Sequence, residues 1–159
     1  MGRIEARLSE LGIELPAPFE APEGITFRFE TVRIDDGLAY ISGHGPTAGA
    51  ETLIAGKVGD SVSPEQAAAA ARLTGLAILA SLRVALGDLD RVESWVKALG
   101  MVNCAPDFNA TPAVINGFSE LLLEVWGESG RHARSAIGVA ELPFDWPVEV
   151  EAIARLSDD

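Results

Sequence analysis

From Ile25 the chain alternates, with Ile25, Phe27 and Phe29 apolar and Thr26, Arg28 and Glu30 polar. A period of two marks a strand with one buried face, and it predicts the first strand of the fold here. Asp35-Asp36-Gly37 supplies the Asp-Gly pair that accepts the positive φ angles of a type I′ hairpin turn, and Leu38 to Ser42 returns as the second strand. Gly43, Gly45, Gly49, Gly56 and Gly59 then punctuate a long stretch that reads as loop. Ser63-Pro64-Glu65-Gln66 opens a helix, with Ser63 as cap, Pro64 at the first helical position and Gln66 reaching back to close a capping box. This helix runs to about Leu86 and stops at Gly87. Leu73, Leu76, Ala77, Ala80 and Val84 form its expected buried face, and Ala67 to Ala71 keep it slim enough to lie close to a sheet. Val92 to Cys104 turns apolar on both alternations in its second half, as a central strand covered on both faces does. Thr111-Pro112 opens a second helix by the same capping logic, with Val114, Ile115, Phe118, Leu121, Leu122 and Val125 on one face and Gly127 as the stop. Two more strands are predicted near residues 133–140 and 147–154, joined by the Leu142–Pro147 connection.

The order ββαβαββ defines an α+β fold of one sheet with two helices on one face. The other face then needs cover, and a second copy of the chain is the default way to supply it. Residues 1–24 read as an N-terminal arm, with a short amphipathic stretch (Ile4, Leu8, Leu11) before Pro16, Pro18 and Pro22. Residues 25–159 read as one domain, the number that 159 residues predict. With 48% hydrophobic and 23% charged residues, composition excludes a disordered, collagenous or coiled-coil chain. Twelve basic against 24 acidic residues give a net charge of −12, which repels phosphate backbones and anionic lipid, so neither nucleic acid nor a membrane is expected as partner. The longest apolar run, Leu73 to Leu86, is broken by Arg83, which argues against a membrane span. Arg3, Glu5, Arg7 and Glu10 leave no uncharged signal-peptide core, and a cytoplasmic location is the expectation. The single Cys104 fits that compartment and reads as a buried core thiol. With one cysteine and two histidines, His44 and His132, a metal site would have to lean on carboxylates, and none is expected.

Polar groups gather in three segments where a sheet needs none: Ser42-Gly43-His44-Gly45-Pro46, Arg134-Ser135, and Glu149 with Glu151. Each has a plain reading, Arg134 as a surface cation and the two glutamates as the solvated face of the last strand. Together they offer a guanidinium fork that suits a planar carboxylate, a carboxylate able to activate water, and backbone amides left uncovered at Gly43. If the last two strands pair, Glu149 lies beside Arg134 and the cation holds it ionised.

The run from Ala133 to Pro143 (ARSAIGVAELP), followed by Pro147 to Ala154 (PVEVEAIA), resembles the C-terminal signature of the Rid family (reactive intermediate deaminase, YjgF-type, endoribonuclease L-PSP-like). Ser42-Gly43, the Gln66 helix and Gly87-Asp88-Leu89-Asp90-Arg91-Val92 support the match from about residue 25 onward. The resemblance implies a chorismate mutase-like fold with one mixed sheet, a homotrimer whose sheets form a central barrel, and a small-molecule site in each cleft between subunits. It implies hydrolysis of 2-imino acids and their enamine tautomers to 2-keto acids and ammonia, with no cofactor. Carried over by position, Arg134 clamps the substrate carboxylate, Glu149 orients or activates water, and Ser42, Gly43 and Ser135 bind substrate. The family asparagine falls on Asn116, which reads equally as an exposed polar position beside Glu120. Three departures mark a divergent branch. The Gly-Pro-Tyr segment before the first strand is missing, the one tyrosine being Tyr40, and Ala136 stands where the family often has cysteine. His44 follows Gly43 in place of glutamine, and it reads either as a substitute acid or donor for the missing phenol or as a residue fixing the glycine turn. A non-catalytic trimer that binds or senses small carboxylates is the alternative function. The acidic charge argues against RNA cleavage.

Overall fold

The computed structural model describes residues 2–157. In chain order the elements are α1 (Arg3–Glu10), β1 (Val32–Asp35), β2 (Leu38–His44), β3 (Thr47–Ala48), β4 (Glu51–Thr52), α2 (Pro64–Leu86), β5 (Val92–Asn103), α3 (Thr111–Trp126), β6 (Ala133–Val139) and β7 (Val148–Leu156). Five strands make one mixed sheet in the order β1-β2-β7-β5-β6, and β3 and β4 form a separate small hairpin. β5 and β6 run parallel because α3 carries the chain back between them, while every other neighbouring pair is antiparallel. The expected ββαβαββ core is present, with α2 and α3 on one face of the sheet.

Local chemistry explains the boundaries. Asp36 and Gly37 both have positive φ, as the tight β1–β2 turn requires. The Ser63–Gln66 capping box is complete, and Gly87 ends α2 at φ 76°. α1 docks Ile4 and Leu8 into the core, and the Asp90 carboxylate accepts from the backbone N–H of Arg3 and Ile4 at 2.6 Å each. Asp90 thereby satisfies two of the orphan donors at that helix start. α2 and α3 cross closely: a β-carbon on Gly117 would overlap the Ala68 carbonyl, and one on Gly75 would meet Leu121 at 2.7 Å. All six apolar residues predicted for the inner face of α3 are buried.

Several expectations are corrected. Residues 25–31 form no strand: the β1–β2 ladder begins at Val32, opposite Ile41, and Thr31 and Glu30 meet Ser42 through one hydrogen bond each. Phe27 and Phe29 instead stack on each other at 4.8 Å, with Phe19 at 5.0 Å from Phe27. The glycine-rich stretch is not all loop, since β2 continues to His44 and Gly49 turns the β3–β4 hairpin. Of the face expected to be buried on α2, Ala77 and Ala80 are buried and Leu73 and Leu76 partly so, but Val84 is 68% exposed, and Thr74, Gly75, Ile78 and Leu82 join the buried side. Thr111 is not the cap of α3; Ala110 holds that position, and the Thr111 hydroxyl donates to the Ala136 carbonyl at 3.0 Å, tying α3 to β6. Cys104 is half-buried rather than buried, with its sulfur against Gly138. β7, not β5, is the middle strand. By length and apolarity α2 could cross a membrane, but most of its apolar stretch is buried within this chain.

Candidate functional site

The last two strands do not pair. β2-α2-β5 and β5-α3-β6 are both parallel crossovers, so β6 takes the outer edge of β5 and β7 enters between β2 and β5. Arg134 lies opposite Ala98 on β5, whereas Glu149 lies opposite Met101 on the other side of the same strand. The two also face opposite sides of the sheet. Arg134 points to α3, while Glu149 alternates with the buried Val148 and Val150, which pack toward the helices. The expectation that Arg134 sits beside Glu149 within one chain is therefore corrected.

Arg134 is fixed from α3. Its Nη1 donates to Asn116 Oδ1 and to Ser119 Oγ, each at 3.0 Å, and its Nη2 donates to the Pro112 carbonyl at 3.3 Å. Asn116 and Ser119 are three residues apart and share a helix face, so one turn of α3 presents both. Asn116, though exposed, is thus a partner of the arginine. The Nε of Arg134 makes no hydrogen bond among the described residues, which leaves donor capacity for a ligand. Behind Ser119 stands His132, the residue just before β6, two positions from Arg134 and therefore on the same side by the two-residue period. Its Nε2 is 3.0 Å from Ser119 Oγ and its Nδ1 2.8 Å from the Gly130 carbonyl. Burial, with a smaller contribution from the Arg134 charge, pushes the His132 pKa down, and its hydrogen bond to Gly130 opposes that shift. Sequence reasoning missed Ser119 and His132, although the His132-x-Arg134 spacing and the Asn116-x-x-Ser119 spacing both carried the signal.

Glu149 belongs to a second group on the helix-free face. Its carboxyl carbon lies 2.9 Å from where a β-carbon on Gly43 would sit, so the bare glycine makes its seat. The pKa of Glu149 is raised, by burial first and by the Glu151 charge second. The expectation that a cation holds it ionised is corrected by the same finding. Ser42 is tied to the chain before β1: its Oγ donates to the Glu30 carbonyl at 2.7 Å and its N–H to the Thr31 carbonyl at 3.0 Å. Ser135 lies opposite Leu99, on the side of β6 away from Arg134, and joins the Glu149 face. A hollow of about 290 Å³ opens on that face, lined by Arg33, Tyr40, Ser42, Lys97 and Glu151 among others.

His44 is not placed to meet a ligand. It is fully buried, with Nδ1 2.7 Å from the Ser42 carbonyl and Nε2 2.9 Å from Ser81 Oγ. A carbonyl only accepts, so Nδ1 carries the proton and Nε2 accepts from Ser81. Desolvation pushes its pKa down. The reading of His44 as a substitute acid gives way to the other one, an anchor that locks the glycine turn to α2. The next residue, Gly45, is pinned by Trp146, whose indole a β-carbon there would overlap. Among the described residues no three His, Cys, Asp or Glu side chains converge as a metal site would need.

The chain belongs to the YjgF/chorismate mutase-like family, whose model, described as "YjgF/chorismate mutase-like, putative endoribonuclease", matches residues 5–155. It is similar to Protein TCP17 of Trypanosoma cruzi, 39% identical over 159 residues, with 99% of this chain and 96% of that protein covered. Its fold is similar to the crystal structure of Atu1372, a protein of unknown function from Agrobacterium tumefaciens. The TM-score is 0.85 at 39% identity, covering 97% of this chain and 92% of the other. A "putative endoribonuclease" from Shewanella oneidensis is similar at TM-score 0.87 and 29% identity, covering 96% and 99%.

Proposed function

We propose that the protein is a cytoplasmic homotrimer that hydrolyses 2-imino acids and their enamine tautomers to 2-keto acids and ammonia in clefts between subunits, without metal or cofactor. The observation that carries this reading is the guanidinium of Arg134, held rigid by Asn116, Ser119 and the Pro112 carbonyl with a donor still unused. A preset fork of donors is what a small planar carboxylate requires. The opposite facing of Arg134 and Glu149 supports a composite site, with Arg134 from one protomer and Glu149 from the next. The helix-free face supports assembly, since it exposes Tyr40 and Ile137 at 42% and 44% beside the partly exposed Leu99, Met101 and Ile153.

In this reading the substrate carboxylate binds Arg134 and the C=N carbon meets a water held by Glu149. Water adds to C2 and passes a proton to the carboxylate. Glu149 returns that proton to the amino nitrogen, and the C–N bond breaks as the C2–O bond becomes a carbonyl, the hydroxyl proton passing to the nitrogen so that it leaves as ammonia. A carboxyl with a raised pKa suits both halves of that shuttle. The net charge of −12 weighs against RNA as the substrate.

Freshly generated 2-imino acids with several side chains supply the test, with ammonia and keto-acid release followed with and without the protein and the oligomer sized by sedimentation. Accelerated release by a trimer supports the reading. A monomer at micromolar concentration removes the shared site, and tight 2-keto acid binding without hydrolysis leaves a carboxylate-sensing trimer.

A further inference from the structure

We propose that His132 and Ser119 are positioning residues for Arg134, His132 holding the Ser119 hydroxyl in the one orientation that offers its oxygen to the guanidinium. The inference rests on the reading of Arg134 as the carboxylate clamp, and it adds two residues to which the family resemblance gave no role.

The argument is one of proton count. The Gly130 carbonyl, 2.8 Å from Nδ1 of His132, can only accept, so Nδ1 carries the ring proton. A neutral imidazole then has a lone pair at Nε2, 3.0 Å from Ser119 Oγ, and the serine hydroxyl donates there. A hydroxyl whose proton is spent has its oxygen lone pairs left, and Arg134 Nη1 donates to that oxygen at 3.0 Å. The order Gly130 C=O, His132, Ser119, Arg134 therefore runs in one direction only. The imidazole is itself fixed by the edge of the Phe118 ring, 5.8 Å away at 74°. The charge bearing on it is Arg134 on its own strand, while α3 presents Phe118 and Ser119, and the 127–130 turn presents a carbonyl, with its Glu128 paired to Arg131 at 2.8 Å. A second proton on the ring would turn Nε2 into a donor, so Ser119 would face two donors, and the guanidinium would gain a cationic neighbour.

Nuclear magnetic resonance on the ¹⁵N-labelled full chain tests this without any ligand. The ring shifts of His132 are expected to show the Nδ1–H tautomer. Ser119→Ala is expected to speed exchange of the Arg134 Nη protons with water, and Ser119→Thr, which keeps the hydroxyl, to keep exchange slow. With 2-ketobutyrate as the calorimetric probe, Ser119→Ala and His132→Asn are each expected to weaken binding about tenfold, the worth of one hydrogen bond to a charged group at its lower end. His132→Gln, whose amide oxygen can accept in place of Nε2, is expected to retain more affinity. Lowering the pH through the His132 titration weakens binding in the parent and less so in Ser119→Ala. In turnover, KM rises more than kcat falls. An Nε2–H tautomer, or Arg134 exchange unchanged in Ser119→Ala, overturns the positioning role whether or not a ligand binds. Undisturbed Arg134 dynamics in the parent with no 2-ketobutyrate binding at all overturns instead the clamp reading on which it rests.

Discussion

Glu149 rests on Gly43: the carboxyl carbon and one carboxyl oxygen each lie 2.9 Å from the position a β-carbon on residue 43 would take. No side chain fits at that distance without moving one partner. Gly43→Ala is therefore expected to displace the carboxyl while the bulge keeps β2 paired to β7. Loss of about tenfold or more in imine hydrolysis, with 2-keto acid binding nearly intact, is the expected outcome, because misplacing a general acid/base group forfeits part of the 10² to 10⁴ it supplies. Steady-state rates beside calorimetry on the same sample check it, and undiminished turnover would show that the contact seats nothing of consequence.

Arg134 makes three hydrogen bonds to α3, and a lysine reproduces none of their geometry. Arg134→Lys keeps the charge but offers a hydrated point donor in place of the fork. Affinity for small 2-keto acids is expected to fall about ten- to a hundredfold, the equivalent of roughly 1.5 to 3 kcal/mol for hydrogen bonds to a charged group. Calorimetric affinity equal to the parent's would remove the clamp.

Stability should fall on acidification through the buried histidine in the glycine turn. The His44 pKa is lowered from 6.5 by desolvation, so its contribution is fully present above that value and is lost as pH drops through the depressed folded value. One such group contributes a slope of at most about 1.4 kcal/mol per pH unit. His44→Gln is expected to flatten part of the acid limb in denaturant titrations run across a pH series, with His132, also lowered, accounting for some of what remains. A slope identical to the parent's would mean that His44 takes up its proton without cost in the folded state.

What the sequence made legible were elements whose evidence is local. The Ser63–Gln66 box, the Asp36-Gly37 turn and the inner face of α3 each depend on residues a few positions apart, and each formed as read. Residues 25–31 had the right alternation, yet the ladder to β2 begins only at Val32, opposite Ile41, and no pattern within 25–31 carries that information. The same holds for the site. Period two running into β6 places His132 with Arg134, yet whether Arg134 and Glu149 share a face depends on β5 lying between their strands, a fact about crossover docking rather than about either strand. His44 looked chemical because it stands among glycines; its two hydrogen bonds to Ser42 and Ser81 come from β2 and α2 meeting in space.

Two carboxylates share the helix-free face of β7, and the chemistry should reside in one of them. Glu149 is half-buried over Gly43 with its pKa raised, while Glu151, two residues along, is exposed on the rim of the open-face hollow. Burial favours the protonated form, and a carboxyl whose pKa is raised both takes and returns a proton more readily between water and a departing nitrogen. Glu149→Gln keeps the shape and removes the proton exchange, so imine hydrolysis is expected to drop by about 10² to 10⁴ while keto-acid affinity and the oligomer persist. Glu151→Gln should leave most of the rate and shift the Glu149-dependent limb of the pH profile toward lower pH, since the neighbouring charge that helps raise that pKa is gone. The pH dependence of kcat in the parent and both variants separates the roles: equal loss in the two variants would assign the rate to the acidic face as a whole, and a Glu151→Gln profile that does not move would leave burial alone as the cause of the raised pKa.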